Sequence, residues 1–463
     1  MGTQTSGSVW SKLSSVLDEA GDHIPRERIL SILNKEIRES DNTLTKEACL
    51  SIEQQPVVYD EFDSINKNNR VLWSVKEIAV TLPDDDSEDT GAEDGDKPRK
   101  KKSKREALMA KKARNDPNAP ALNRIPLPEL RDAEKLDRVM ASREAAKRLK
   151  LGPDSLPSIC FYTLLNGHHH HNAAAICADM SEDSSLLAAG FSDSTIKVWP
   201  LTPNKLKRMK GANELETIDK EADDVSYRMM DDKNLGEVTV LKGHNGPVYG
   251  LSFSPDRTLL ISCSEDSTIR LWSLQTWTNI CCYRGHCFPV WDVKFAPHGY
   301  YFATASNDRT ARLWATDQHQ PLRLFVGHLN DVDCLQIHPN SNYVATGSSD
   351  LTIRMWDVLN GQCVRYLKGH RGRPNAIIFS NEGRFMLSAG VDKVIIVWDL
   401  ASACAAAKLI AHHDAIYTMS FSRDGTILAS GGADDCVNIW DFKRLLIDLD
   451  LEDTQSTRTP IIR

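Results

Sequence analysis

Gly-His pairs stand at Gly243-His244, Gly285-His286, Gly327-His328 and Gly369-His370, and a fifth copy reads Ala411-His412. Each histidine lies 42 residues after the one before it. Tryptophan follows each histidine by 28 residues, at Trp272, Trp314, Trp356, Trp398 and Trp440. Asp266, Asp308, Asp350, Asp392 and Asp434 each lie six residues before a tryptophan. Ser262, Thr304, Thr346, Ser388 and Ser430 each lie four before an aspartate. A fixed period means that one supersecondary unit is repeated, and that each unit buries its faces only against its neighbours. Length alone, 463 residues, suggests about three domains. The period replaces that figure with one repeat domain behind a non-repetitive N-terminal part.

Within a copy the pattern is β. TLLISCSEDSTIRLW and NYVATGSSDLTIRMW are short aliphatic and β-branched runs, broken by turns of the SPDR and HPNSN type and by the aspartate turn. Four strands of about six residues plus turns fill one copy, which resembles the WD40 repeat in length and in its GH…WD signature. The residue after the tryptophan varies: Asp357, Asp399 and Asp441, but Ser273 and Ala315 elsewhere. The constant residues can satisfy one another. A buried indole N–H needs an acceptor, which a Ser or Thr hydroxyl supplies. Histidine accepts from that hydroxyl and donates to the aspartate, which also takes backbone N–H groups. The same residue types make a catalytic triad, but a nucleophile needs one exposed site, and a network repeated in every unit is architecture. The residues are therefore assigned as structural tetrads, with no catalytic, metal or cofactor-binding residue proposed.

A degenerate copy lies upstream, where Trp199 follows Asp193 by six, Ala189 takes the hydroxyl position and His171 the histidine position. Extra residues around 203–237 read as an insertion after it. Six blades are thus recognisable in an all-β propeller, the architecture that protects most strand edges of such units. Residues 156–165 (LPSICFYTLL) are a candidate outer strand for ring closure. The 23 residues after Trp440 are too few for another blade, so the ring has six blades or lacks a seventh. The organisation expected is 1–80 a small α-helical or partly ordered segment, 81–150 a disordered acidic/basic linker, 151–445 the propeller and 446–463 a C-terminal tail.

Net charge is -8, which argues against a uniformly basic nucleic-acid binder. Residues 1–150 carry a net -1 and residues 151–463 a net -7. Residues 84–96 hold 8 acids in 13 positions, and residues 97–105 hold 7 bases in 9: Lys97, Arg99, Lys100, Lys101, Lys102, Lys104 and Arg105. Such blocks bury nothing and are expected to be disordered. The basic run reads as a solvated linker, a phosphate contact or, the reading adopted, a nuclear localisation signal, with Lys111, Lys112 and Arg114 behind it. There is no run of 18 apolar residues and no signal-peptide pattern, so no membrane association is expected. Eleven cysteines without a CxxC pair fit a reducing compartment better than a disulfide framework or a zinc ribbon.

Other features were weighed singly. Residues 25–38 are a helix candidate with Ile29, Leu30, Leu33 and Ile37 on one stripe, and RVLWSVKEIAVTL (70–82) is a second apolar stretch. His168–His171 read as a loop rather than a metal site, and Cys281, Cys282 and Cys287 lack zinc-site spacing. Trp277, Trp291, Tyr300 and Tyr301 lie off the grid and read as packing residues. Asp331, Asp333, Arg371, Arg373 and Phe288-Pro289 follow the Gly-His pairs, on one face of the propeller, and are interface candidates. No GxGxxG, Walker, HExxH or GxSxG motif occurs, so no enzyme reading competes.

NDPNAPALNRIPLPEL (115–130), KRLKLGPDSLPSICFYTLLN (147–166), FPVWDVKFAPHGYYFATASNDRTARLWATDQHQPLR and GHLNDVDCLQIHPNSNYVATGSSDLTIRMWDVLNGQCVR together resemble the TFIID subunit 5 family, the TBP-associated WD-repeat subunits. The resemblance covers roughly residues 97–445. It implies a nuclear, non-enzymatic scaffold of TFIID, or of a SAGA-like coactivator, in RNA polymerase II pre-initiation complex assembly. Implied partners are other TBP-associated factors, above all histone-fold pairs, with no sequence-specific nucleic-acid binding and no cofactor. The family's LisH motif and N-terminal helical domain are not recognisable in residues 1–80, and its weak seventh blade has no counterpart here. The alternative is a WD40 substrate adaptor of a ubiquitin ligase, which needs a cullin-adaptor element; none is recognisable in residues 1–80.

Overall fold

A computed structural model describes residues 65–67, 69–75, 118–121, 124–128, 174–203, 205–210, 212–215 and 228–451. Among the described residues the fold is an all-β propeller of six blades. Strands β1 (Ala175–Met180), β2 (Leu186–Phe191) and β3 (Thr195–Pro200) open blade 1. An inserted hairpin of β4 (Leu206–Met209) and β5 (Met230–Gly236) follows, and β6 (Thr239–Lys242) closes the blade on β3. Blade 2 is β7 (Val248–Phe253), β8 (Leu259–Ser264), β9 (Thr268–Ser273) and β10 (Asn279–Arg284). Blade 3 is β11 (Val290–Phe295), β12 (Tyr301–Ser306), β13 (Thr310–Ala315) and β14 (Arg323–Val326). Blade 4 is β15 (Val332–Ile337), β16 (Tyr343–Ser348), β17 (Thr352–Asp357) and β18 (Cys363–Lys368). Blade 5 is β19 (Pro374–Phe379), β20 (Phe385–Gly390), β21 (Val394–Asp399) and β22 (Cys404–Ile410). Blade 6 contributes β23 (Ile416–Phe421), β24 (Ile427–Gly432) and β25 (Val437–Asp441), three strands among the described residues. Each sheet is an antiparallel meander, and the first strands of consecutive blades neighbour one another from β1 round to β23.

A four-stranded sheet of this composition is apolar on both faces, so the core lies between blades rather than within them. Five buried clusters fill the five interfaces from blades 1 and 2 to blades 5 and 6. In the second, Ile269, Leu271 and Tyr283 of blade 2 meet Val290, Phe302 and Trp314 of blade 3. β7 is buried along its whole length, whereas β1 has no fully buried residue and β23 has one. These two strands end the series, and Arg423 of blade 6 reaches Glu182 of blade 1 at 3.5 Å.

The backbone repeats as strictly as the side chains. Ser194, Ser267, Arg309, Leu351, Lys393 and Asp435, each one residue after the tetrad-grid aspartate, all have φ between 57° and 67°. None is glycine, although left-handed backbone costs an ordinary residue about 1 kcal/mol. The aspartate compensates by accepting the next amide: Thr268 N–H donates to Asp266 at 2.9 Å and Thr352 N–H to Asp350 at 3.0 Å.

Two stretches outside the blades pack onto them. Residues 69–75, 118–121 and 124–128, which the sequence places in the N-terminal segment and the linker, lie against the turns of blades 3 to 5. Val71 is 3% exposed within the cluster between blades 4 and 5, and Ile125 packs on the one between blades 3 and 4. At the other end, helix α1 (Phe442–Leu451) continues directly from β25 and buries Phe442 and Leu445. The tail expected from residue 446 therefore begins inside a helix. The helix candidate at 25–38, both charge blocks with Lys97–Arg105, the strand candidate at 156–165 and His168–His171 lie outside the described residues. No helix among the described residues is long and apolar enough to cross a membrane.

Candidate functional site

The residues at constant offsets meet in every blade from 2 to 6. In blade 4, Trp356 Nε1–H donates to Thr346 Oγ1 at 2.8 Å, His328 Nε2 stands 2.8 Å from the same oxygen, and His328 Nδ1 stands 2.9 Å from Asp350. The other blades repeat this. Trp272 reaches Ser262 at 2.9 Å, and His244 joins Ser262 to Asp266 at 2.7 and 3.1 Å. Trp314 reaches Thr304 at 3.0 Å, and His286 joins Thr304 to Asp308 at 2.8 and 2.7 Å. Trp398 reaches Ser388 at 2.8 Å, and His370 joins Ser388 to Asp392 at 2.6 and 2.7 Å. Trp440 reaches Ser430 at 3.1 Å, and His412 joins Ser430 to Asp434 at 2.9 and 2.9 Å. In blade 1 Ala189 offers no hydroxyl and Trp199 is half-buried, but Asp193 still accepts from Thr195 Oγ1 at 2.6 Å.

Charge follows from burial. Burial pushes His286 and His328 below the usual imidazole range despite their aspartate partners. Each is thus neutral, with Nδ1–H donating to aspartate and Nε2 accepting from the hydroxyl. Burial alone would raise the aspartates. Donors from histidine, threonine and backbone outweigh it, holding Asp350 well below the carboxylate range and Asp308 and Asp434 at about 2. The hydroxyls are fully buried and already hold two partners, so they are closed to substrate.

Two members of the network escaped the sequence reading. Thr268, Thr310 and Thr352, two residues after the aspartate, each donate Oγ1–H to it at 2.6 Å. Arg270, Arg312 and Arg354, two before the tryptophan, lie over the glycine of the Gly-His pair. A Cβ on Gly243 or Gly285 would stand 2.8 Å from the guanidinium, and one on Gly327 2.5 Å. In blades 2 to 4 the glycine thus leaves space for both arginine and tryptophan, while in blade 5 Ile396 takes the arginine position and Gly369 lies under Trp398, 3.0 Å from the place of a Cβ. In blade 6 Asn438 replaces the arginine, donates Nδ2–H to Ala411 O at 2.5 Å, and leaves room for the alanine methyl. Both recur at fixed offsets in blades 2 to 4, with Thr195 in blade 1 as well, but Val394 and Cys436 replace the threonine and Ile396 and Asn438 the arginine in blades 5 and 6.

Turns preceding each first strand share the tetrad end of the propeller, and they carry the interface candidates. Phe288 is 55% exposed and Arg371 is exposed, and Leu329, which the sequence reading did not single out, is 77% exposed in the turn that matches theirs. Asp333 is buried and accepts from Ser349 Oγ at 2.6 Å, which removes it from the open surface. The off-grid aromatics have separate surroundings. Trp291 packs against Tyr249 with ring centroids 4.9 Å apart. Trp277 Nε1–H donates to Lys207 O of the inserted hairpin at 3.0 Å. Tyr300 and Tyr301 line a cavity of about 440 Å³ with Ile125 and Pro126 at the opposite end. Cys281 Sγ lies 3.3 Å from His319 Nδ1, and no group of three metal-ligating side chains occurs among the described residues.

The WD domain, G-beta repeat family matches residues 159–200, 236–273, 277–315, 319–357, 361–399 and 405–441, together half of the chain. Over 181 residues the chain is 53% identical to transcription initiation factor TFIID subunit 5 of Drosophila melanogaster, covering 39% of this chain and 25% of that protein. It is 41% identical over 170 residues to the SAGA complex/transcription factor TFIID complex subunit Taf5 of Schizosaccharomyces pombe, covering 36% and 23%. It is 42% identical over 142 residues to the human TAF5-like RNA polymerase II p300/CBP-associated factor-associated factor 65 kDa subunit 5L, covering 30% and 23%. The matches span about a quarter of the length of these relatives, and they bear out the resemblance to the TFIID subunit 5 family.

Proposed function

The chain belongs to the WD domain, G-beta repeat family, and on that premise we propose that it is a non-enzymatic scaffold subunit of a TFIID- or SAGA-type complex, acting in the nucleus. The observation that carries this reading is the 53% identity to a TFIID subunit 5 over 181 residues. The site chemistry supports it. Every Ser/Thr-His-Asp set is spent on holding a tryptophan, which leaves the propeller a rigid platform rather than a reactive one.

On this reading the propeller makes protein–protein contacts in pre-initiation complex assembly, and its partners are other TBP-associated factors, histone-fold pairs above all. The tetrad end carries the surface for it: Phe288, Leu329 and Arg371 combine exposed apolar area with a cationic group, the residue types that anchor protein interfaces. Lys97, Arg99, Lys100, Lys101, Lys102, Lys104 and Arg105 form the nuclear localisation signal. Sedimentation of tagged protein in nuclear extract tests the reading. A scaffold subunit sediments with a large assembly, and a peak at the monomer mass of 51.7 kDa refutes it.

A further inference from the structure

The end of blades 4 and 5 opposite the tetrads is occupied by residues 65–67 and 69–75, and the mode of contact differs from blade packing. Asn66 uses its side-chain amide as a strand edge: Nδ2–H donates to Tyr366 O at 2.8 Å, and Oδ1 accepts Tyr366 N–H at 2.8 Å. Leu72 is held through its backbone, its N–H donating to Tyr343 OH at 3.1 Å and its carbonyl accepting Asn340 Nδ2–H at 2.8 Å. The carbonyl of Asn69 accepts from the buried Arg365 at 2.5 Å. Val71 is the apolar anchor, and Trp73 lies over the same cluster. Gly383, at φ 80°, leaves the space in which the Trp73 carbonyl sits: a Cβ there would stand 2.4 Å from it. An edge pairing, backbone hydrogen bonds and one apolar side chain in a pocket are how folded domains hold extended peptides.

The segment is also clamped to the next described stretch. Ser74 N–H donates to Asn118 O at 3.1 Å, and Arg70 donates to Asn118 Oδ1 at 3.1 Å. Arg124 then pairs with Asp357 and donates to Tyr343 OH at 3.4 Å, on the hydroxyl that holds Leu72. Residues 74 and 118, 44 apart in sequence, therefore lie side by side on the propeller, and the sequence between them contains both charge blocks, residues 84–105.

We propose that this end of blades 4 and 5 is a peptide-binding surface whose ligand is the chain's own residues 65–75, held as a detachable strap. The propeller folds without the strap. The covalent connection keeps the strap's effective concentration high, in the millimolar range for short flexible linkers and lower for a loop of this length. The strap reserves this end of the propeller and leaves the tetrad end open.

The test uses the full chain with a sequence-specific protease site replacing residues 88–93. After cleavage, size-exclusion chromatography and gel analysis follow the two fragments, and thermal melting follows the propeller. The N-terminal fragment is expected to co-elute with the propeller. Val71→Asp, which puts a charge into the apolar pocket but alters no blade residue, is expected to abolish co-elution while the propeller keeps its cooperative melt. Separation of the fragments of the unaltered sequence overturns the proposal, and so does co-elution that survives Val71→Asp. Loss of the propeller's melting transition when the strap leaves would make residues 65–75 part of the fold and would equally overturn it.

Discussion

Thr346→Val isolates what a tetrad contributes. Valine has the shape of threonine, so the change removes one hydroxyl and little else. That hydroxyl is fully buried, accepts Trp356 Nε1–H at 2.8 Å and lies 2.8 Å from His328 Nε2. Its loss leaves one donor and one acceptor unpaired where water does not reach. At about 1–3 kcal/mol for each buried group left unsatisfied, the cost for the two is about 2–6 kcal/mol. Thr346→Ser keeps both bonds and gives up a methyl group, a cost of about 1 kcal/mol. Urea unfolding followed by tryptophan fluorescence measures both variants at unchanged slope. The order expected is wild type, then serine, then valine, with valine well below. A valine variant as stable as the serine variant would refute the reasoning, because an apolar group of the same shape would then serve as well as the network.

Blade 6 offers a coupled pair. Asn438→Arg alone should push its guanidinium against the Ala411 methyl, and adding Ala411→Gly should recover stability; a double-mutant cycle should give a coupling on the order of 1–2 kcal/mol, and additivity would remove the space argument. Acid should weaken the propeller through His338, which is fully buried and pushed by burial to about 4. The unfolded chain takes up that proton near pH 6.5, so stability on the order of 3 kcal/mol is present above pH 6.5 and lost as pH falls to 4. His338→Gln should flatten that part of a stability-against-pH curve; an unchanged slope would exclude His338 as its source. Deleting residues 97–105 should make a fluorescently tagged chain cytoplasmic, and unchanged nuclear signal would reject the localisation role.

Fold and tetrads were legible because both are periodic: five copies at a constant spacing leave little freedom in what Trp356 or Asp350 can do. Thr352 and Arg354 recur in only three of the five copies, with Val394 and Cys436, Ile396 and Asn438 in the other two, and threonine and arginine are common in strands and attract no attention until the carboxylate and the glycine are seen beside them. The left-handed turn positions were half visible. Gly299, Gly383 and Gly425 mark one of them, while Ser184, Arg257 and Ser341 occupy the same place with φ near 60° and nothing in their chemistry announces it. The strap was legible only as the apolar stretch at 70–82, with nothing to say what it packs on. It has no period, one apolar anchor in Val71, and contacts made largely through backbone atoms, which every sequence possesses.

Affinity purification of the tagged chain from nuclear extract, with mass spectrometry of the bound proteins, tests the scaffold assignment most directly. The account predicts TBP-associated factors in stoichiometric amounts, histone-fold pairs among them. Recovery of a cullin-based ligase in their place, or of the chain without partners, would contradict it.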